Sequence, residues 1–189
     1  MKTIFLLSVL LLSAATANAD TIKGVAAGII PYTCSENGAL YLLAYDPDKK
    51  RKAWGAFGGR SEGNESAAQT ARREFYEETN CAYDLNAIER FLLKGPSRSG
   101  NFYSYVSEVP FRDVAEIAAR RECTNVERAF WIWVPHAAFI KMLETEAVSP
   151  AAEIQSKPPI KFYIWGGAAR SLRKALADGF IKRKDPCMP

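Results

Sequence analysis

The sequence predicts an α/β protein, an α/β/α sandwich built on a mixed sheet. Three observations predict it: β-rich apolar segments fill the first part of the chain, an amphipathic helix interrupts the strands, and a second one closes the chain. Size agrees with this reading. Once residues 1–19 are set aside as a leader, 170 residues remain, a single domain (20–189) with enough apolar side chains to build a core.

The leader is read from Met1-Lys2-Thr3, the apolar run Ile4 to Leu12, and Ala17-Asn18-Ala19. A charged start, a short hydrophobic stretch and an A-x-A site describe a secretory signal peptide cut between Ala19 and Asp20. The run is shorter than the ~20 residues that span a bilayer, so an exported protein without a membrane anchor is expected, periplasmic or secreted.

The elements follow in order. Ile22 to Tyr32 is apolar and β-rich, Ser35-Glu36-Asn37-Gly38 has the composition of a hairpin turn, and Ala39 to Tyr45 is the returning strand. Asp46-Pro47-Asp48 breaks it. After a basic loop, Trp54 to Gly59 is a short strand that runs into a glycine turn. The first helix spans Ser66 to Thr79: Ser66 and Gln69 form a capping box, and Ala68, Ala71, Phe75 and Thr79 line a face suited to packing on a sheet. Glu89 to Lys94 and Asn101 to Val109 read as strands joined by a Gly95–Gly100 loop. Asp113 to Arg121 is a short helix, Arg128 to Val134 a strand, and Pro135 marks its end before a helix that runs to about Glu146. Beyond the Pro-rich stretch Ser149 to Pro159, a last helix runs from Phe162 to Ala177, with Gly179 just past its end.

Charge excludes little. The full chain carries +4; Lys2 is the only charged residue of the leader, so 25 basic residues become 24 against 21 acidic, a balance of +3. That suits a small anionic ligand and shows no clear nucleic-acid surface, since the runs at 49–52 and 182–184 lack interleaved aromatics. Cys34, Cys81, Cys123 and Cys187 all follow the leader. Their even number in an exported chain predicts two disulfides with three pairings open, and their wide spacing argues against zinc. His136, the single histidine, reads as a surface or capping residue.

The chemistry lies at 59–81: Gly59-x5-Glu65-x7-Arg73-Glu74-Phe75-x-Glu77-Glu78-x-Asn80-Cys81. Glu74, Glu77 and Glu78 stand at i, i+3 and i+4, within roughly 100° of arc on one helix face. Like charges so close are unfavourable without a cation among them. Hard oxygen donors suit Mg2+ or Mn2+, so this face reads as a divalent-metal cage. Arg73 can reach Glu77 one turn on.

This pattern resembles the Nudix box, G-x5-E-x7-R-E-U-x-E-E-x-G-U. The match holds at Gly59, Glu65, Arg73, Glu74, Phe75, Glu77, Glu78 and Cys81, and departs at Asn80, where the family has glycine; asparagine is the next residue to tolerate a left-handed helix end. The resemblance implies the Nudix α/β/α fold and Mg2+-dependent hydrolysis of the pyrophosphate link in a nucleoside diphosphate joined to another group. It makes Glu74, Glu77, Glu78 and the Gly58 carbonyl metal ligands, lets Glu74 double as base, gives Arg73 the task of orienting the glutamates, and leaves Glu65 and Gly59 as structural support. A base outside the box is also common in the family. Glu127, six residues before Trp133, is the best candidate here, with Glu108 and Glu122 as rivals.

Substrate contacts are less legible. Arg60 and Arg98 could meet phosphates; Phe102, Tyr103, Tyr105 and Trp133 could stack a base. Export favours ADP-ribose, nucleotide sugars, dinucleotides or dinucleoside polyphosphates over cytoplasmic nucleotide-pool cleaning. The family also admits homodimers. The alternative reading is an exported, non-catalytic nucleotide-binding or effector module on the same fold; it is disfavoured because such proteins lose box glutamates and this chain keeps them.

Overall fold

A computed structural model describes residues 23–48, 50–92, 95–120, 122–123, 127–145 and 164–189. The leader and the Pro-rich stretch at 149–159 lie outside the described residues. Seven strands form one mixed sheet: β1 (Ala26–Ser35), β2 (Gly38–Asp46), β3 (Ala53–Gly55), β4 (Phe57–Arg60), β5 (Ser97–Ser99), β6 (Phe102–Glu108) and β7 (Phe130–Pro135). The central path runs β3-β2-β1-β6-β5, with β4 beside β1 and β7 beside β2. Among the described strands, only β1 and β6 pair in parallel.

β1 organises the sheet. One edge follows β6 from Ala26 to Tyr32, while the other changes partner, taking β4 over Ala26–Ile29 and β2 over Tyr32–Ser35. Pro31, which has no N–H to donate, falls at that changeover. The hairpin to β2 closes Ser35 on Gly38, as the turn residues predict.

Alternate residues of the strands feed two cores. Ala27, Ile29, Leu42 and Ala44 pack with Phe57, Ala71 and Phe75 under helices α1 (Ala67–Glu78), α2 (Leu85–Phe91) and α3 (Val114–Ala119). Ile30, Tyr41, Leu43 and Trp54 pack with Phe139, Leu172 and Leu176 of α4 (His136–Glu144) and α5 (Gly166–Ala177). The sheet is therefore covered on both faces, the expected three-layer sandwich. No helix among the described residues is long and apolar enough to cross a membrane.

Four expectations need correction. Over the described part of Glu89–Lys94 there is no strand: α2 runs to Phe91, and residues 93–94 lie outside the described residues. Asp84 decides this, because its Oδ1 accepts the N–H groups of Asn86 (2.7 Å) and Ala87 (3.1 Å) and starts a helix whose Ile88 is fully buried. β5 lies inside the supposed Gly95–Gly100 loop, so the hairpin is tighter than expected. α5 begins at Gly166 after Trp165, not at Phe162; residues 161–163 are outside the described set. His136 is buried, not superficial, because the C-terminal tail folds over it and the Arg183 carbonyl accepts from its Nε2 at 3.1 Å.

Both disulfides are present and their pairing is resolved: Cys34 with Cys187, and Cys81 with Cys123. The first staples the tail to the hairpin, where both carboxylate oxygens of Asp185 also accept the Ala39 N–H at 3.1 Å.

Gly28 shows how closely β1 and β4 approach. A Cβ there would stand 1.9 Å from the Phe57 carbonyl oxygen. Gly28→Ala is therefore expected to destabilise the domain by at least about 3 kcal/mol, read as a fall in the urea midpoint, because two backbones and not a flexible side chain would have to separate.

Candidate active site

α1 carries the site, and its ends are fixed locally. Ser66 accepts the Gln69 N–H at 3.2 Å while Gln69 Oε1 accepts the Ser66 N–H at 2.8 Å, the capping box the sequence predicts. At the other end Asn80 is left-handed, with φ 51°. Its N–H donates to the Glu77 carbonyl at 3.0 Å, and the Cys81 N–H donates to Tyr76 at 2.8 Å, a Schellman closure.

Arg73 organises the exposed side of the helix. Its Nε and Nη2 meet the two oxygens of Glu65 at 2.9 and 3.1 Å, a bidentate pair. Nη1 lies 3.1 Å from Glu74 and 3.0 Å from Glu77, and Nη2 also donates to the Arg60 carbonyl at 2.8 Å. Glu65 thus ties the loop to the helix, and Arg73 orients two glutamates. Gly59 is constrained by the same geometry, since a Cβ would fall 2.3 Å from a carboxylate oxygen of Glu74.

Glu78 lies on the inner side and is 2% exposed. It pairs with Arg128, accepts the Gly58 N–H at 2.8 Å, and its own carbonyl accepts Trp131 Nε1 at 2.9 Å. Arg128, also buried, reaches Asp46 at 3.1 Å, and Asp46 in turn holds Arg51 at 2.7 Å.

Carboxylate oxygens of Glu74, Glu78 and Glu127 lie within 4.8 Å of one another, the first two buried and the third exposed. Three hard acidic donors this close, two of them shielded from water, fit a divalent cation such as Mg2+ or Mn2+. Glu77 stands outside this trio, with its Oε2 on Arg73. Of the rival outside glutamates, Glu122 pairs with Arg120 and Glu108 is exposed at the end of β6.

Beside the trio, a cavity of about 260 Å3 opens between the sheet and α5. Gly58 and Arg128, both bonded to Glu78, form part of its lining. Trp54, Phe57, Phe102 and Trp165 supply aromatic surface, and Arg51, whose guanidinium lies 5.0 Å from the Trp165 ring centroid, supplies charge. Of the residues considered for stacking, Phe102 alone lines this cavity. Tyr103 and Tyr105 are buried in the core, and Trp133 stacks on Phe111. Arg60 and Arg98 are both exposed and line no part of it; Arg98 Nε donates to the Gly100 carbonyl at 2.9 Å. Sequence reasoning missed Asp46, Arg51, Arg128 and Trp165. Asp46 looked like a strand terminator and Arg128 like a strand start, and no local spacing joins either to Glu78.

Burial pushes the Glu78 carboxyl up to about 7, against the opposing pull of Arg128 and the Gly58 N–H. Burial raises Glu74 too, with Arg73 opposing. A carboxyl whose folded pKa exceeds its ordinary value of 4.5 contributes stability that is fully present below 4.5 and is lost as the pH rises through about 7. Thermal melts in chelator should therefore fall by several degrees between about pH 5 and pH 8, and Glu78→Gln should flatten that slope. An unchanged slope in the variant would show that Glu78 is not the group responsible.

A family model of the NUDIX domain matches residues 23–154. Uncharacterized protein L534 of Acanthamoeba polyphaga mimivirus is 47% identical over 72 residues, 35% of this chain and 23% of that protein; the chain spans about a quarter of that relative's length. An Ap4A hydrolase of C. elegans, solved as a binary complex, is 20% identical, covering 61% of this chain and 83% of that one at a TM-score of 0.41. The NUDIX domain of Shewanella oneidensis NrtR, solved with ADP ribose, is 17% identical, covering 61% and 75% at a TM-score of 0.41.

Proposed function

Because the chain belongs to the NUDIX family, with the domain match extending over residues 23–154, we propose that it hydrolyses the pyrophosphate bond of a nucleoside diphosphate linked to another group, with Mg2+ or Mn2+ as cofactor. One observation carries this reading: Glu74, Glu78 and Glu127 converge beside a cavity that Gly58 and Arg128 line. Glu74 and Glu78, with Glu77 from the same helix face and the Gly58 carbonyl, would hold the cation, with Glu127 beside it. Bound there, it would neutralise adjacent phosphates and act as Lewis acid on them.

The chain's own residues have separate tasks. Arg73 keeps Glu74 and Glu77 directed, and Glu65 keeps Arg73 in place. Glu127, exposed where Glu74 is buried, is the proposed general base, since its carboxylate lies both at the surface and beside the other two. The cavity is the proposed nucleoside site: aromatic planes would accept a base, and Arg51 and Arg128, which line it, would face the phosphates. Arg60 and Arg98 would act on the substrate only from outside it. Export past Ala19, read from residues 1–19, fits substrates found outside the cytoplasm.

The test is product analysis by chromatography. Protein from Asp20 onward is incubated with Mg2+ and ADP-ribose, nucleotide sugars, NAD, dinucleoside polyphosphates and nucleoside triphosphates, beside Glu78→Gln. Cleavage at a pyrophosphate bond by the wild type alone is expected. Phe102→Ala should raise KM by about tenfold with little change in kcat, the loss of one stacking contact. Binding of these ligands without cleavage, under Mg2+ and Mn2+ alike, would favour the non-catalytic module.

A further inference from the structure

The last turn of α1 does more than carry Glu78. Glu78 and the two residues that close the helix behind it, Asn80 and Cys81, grip three successive points of the chain from α3 to just before β7. Asn80 Nδ2 donates to the Ile117 carbonyl at 3.1 Å, Cys81 is bonded to Cys123, and Glu78 pairs with Arg128. Glu127 lies between the second and third of these points, four residues after Cys123 and directly before Arg128. Downstream its position is fixed by Arg128 and by the Ala129 N–H on the Tyr45 carbonyl at 3.0 Å. Upstream the covalent anchor is Cys123. Four residues reach at most about 14 Å, so the bond to α1 limits how far Glu127 can move from the helix that bears Glu74 and Glu78.

The anchor on α1 is itself well held. Cys81 has φ 60° and follows the left-handed Asn80, and its N–H is used in the helix closure, so its side chain leaves from a fixed backbone. The Cα atoms of the two cysteines are 5.7 Å apart. A disulfide here ties the two acidic elements of one site, where the other, Cys34–Cys187, ties a tail to a hairpin.

We propose that the Cys81–Cys123 disulfide is a positioning device that holds Glu127 against Glu74 and Glu78. The proposal rests on the hydrolase reading above, in which Glu127 is the base. Cys81 and Cys123 do not touch substrate; they act through Glu127.

The experiment is a double-mutant cycle on the full mature chain. Glu127→Gln is measured in the wild type and in the Cys81→Ala/Cys123→Ala background, with kcat and KM on the substrate found above. The disulfide variant is expected to lower kcat about tenfold with KM nearly unchanged, as misplacement of a reacting group does. In that background Glu127→Gln should cost far less than in the wild type, because Glu127 is already out of place. Equal costs in both backgrounds would overturn the proposal, since a bond that only adds stability leaves the Glu127 effect intact. Cys34→Ala/Cys187→Ala is the control, expected to lower the melting temperature and leave kcat unchanged.

Two further measurements keep the test decisive. If the disulfide variant does not fold, Gly-Gly inserted directly after Cys123 lengthens the tether with the bond intact, as intact mass would verify. It should lower kcat similarly, and an unchanged kcat would refute positioning. If no substrate is cleaved, the hydrolase reading fails and the same variants are compared by Mn2+ affinity in electron paramagnetic resonance. Weakening of about tenfold by Glu127→Gln in the wild type, and little in the disulfide variant, would uphold positioning; identical Mn2+ affinity across the set would overturn it.

Discussion

Glu78→Gln is expected to lower kcat by about a thousandfold while leaving the domain folded. Glu78 is the most buried of the three converging carboxylates, and it alone is bonded both to the cavity lining at Gly58 and to the buried Arg128. Glutamine has nearly the same shape and can still accept the Gly58 N–H, so the packing survives. On the proposed reading, what would be lost is one full negative charge beside a divalent cation, and Lewis-acid assistance is worth several kcal/mol of barrier, hence the thousandfold estimate. Mn2+ affinity should fall in parallel. A variant with kcat within tenfold of wild type would remove Glu78 from the metal set.

Arg128→Met should destabilise the chelated protein by about 3–5 kcal/mol, the cost of leaving one partner of a buried ion pair behind. Two carboxylates would be affected, Glu78 and Asp46, because Arg128 bridges them. The loss should be smaller at low pH, where Glu78 takes up a proton and needs no counter-charge. Added Mg2+ should recover part of it, since a cation among Glu74, Glu78 and Glu127 supplies the missing positive charge. Urea titrations with chelator and with Mg2+ give both numbers. An unchanged urea midpoint in chelator would show that Arg128 does not compensate Glu78.

Much of the site was legible because its spacing is local. The i, i+3, i+4 glutamates, the Ser66–Gln69 cap and the left-handed Asn80 all express contacts within one or two turns, which sequence offsets report directly. The strands of the first hairpin were legible for the same reason. Glu89–Lys94 was misread because a short apolar run does not distinguish strand from helix, and the Asp84 cap that settles it lies before the run. Glu127 was identified through the resemblance, but its approach to Glu74 and Glu78 is a tertiary fact.

By itself, then, the sequence determined the sandwich, the first helix with its caps and acidic face, the family, and the expectation of two disulfides. Tertiary structure alone decided which cysteines pair, that Arg128 and Asp46 compensate the buried Glu78, and that the cavity takes Arg51 and Trp165 in preference to Arg60 and Arg98. The physical reason is separation along the chain. Glu78 and Arg128 are 50 residues apart, and Cys34 and Cys187 are 153 apart. No periodicity encodes such contacts; they exist only once the strand order of the sheet has brought the chain back on itself, and the burial that raises Glu78 exists only then as well.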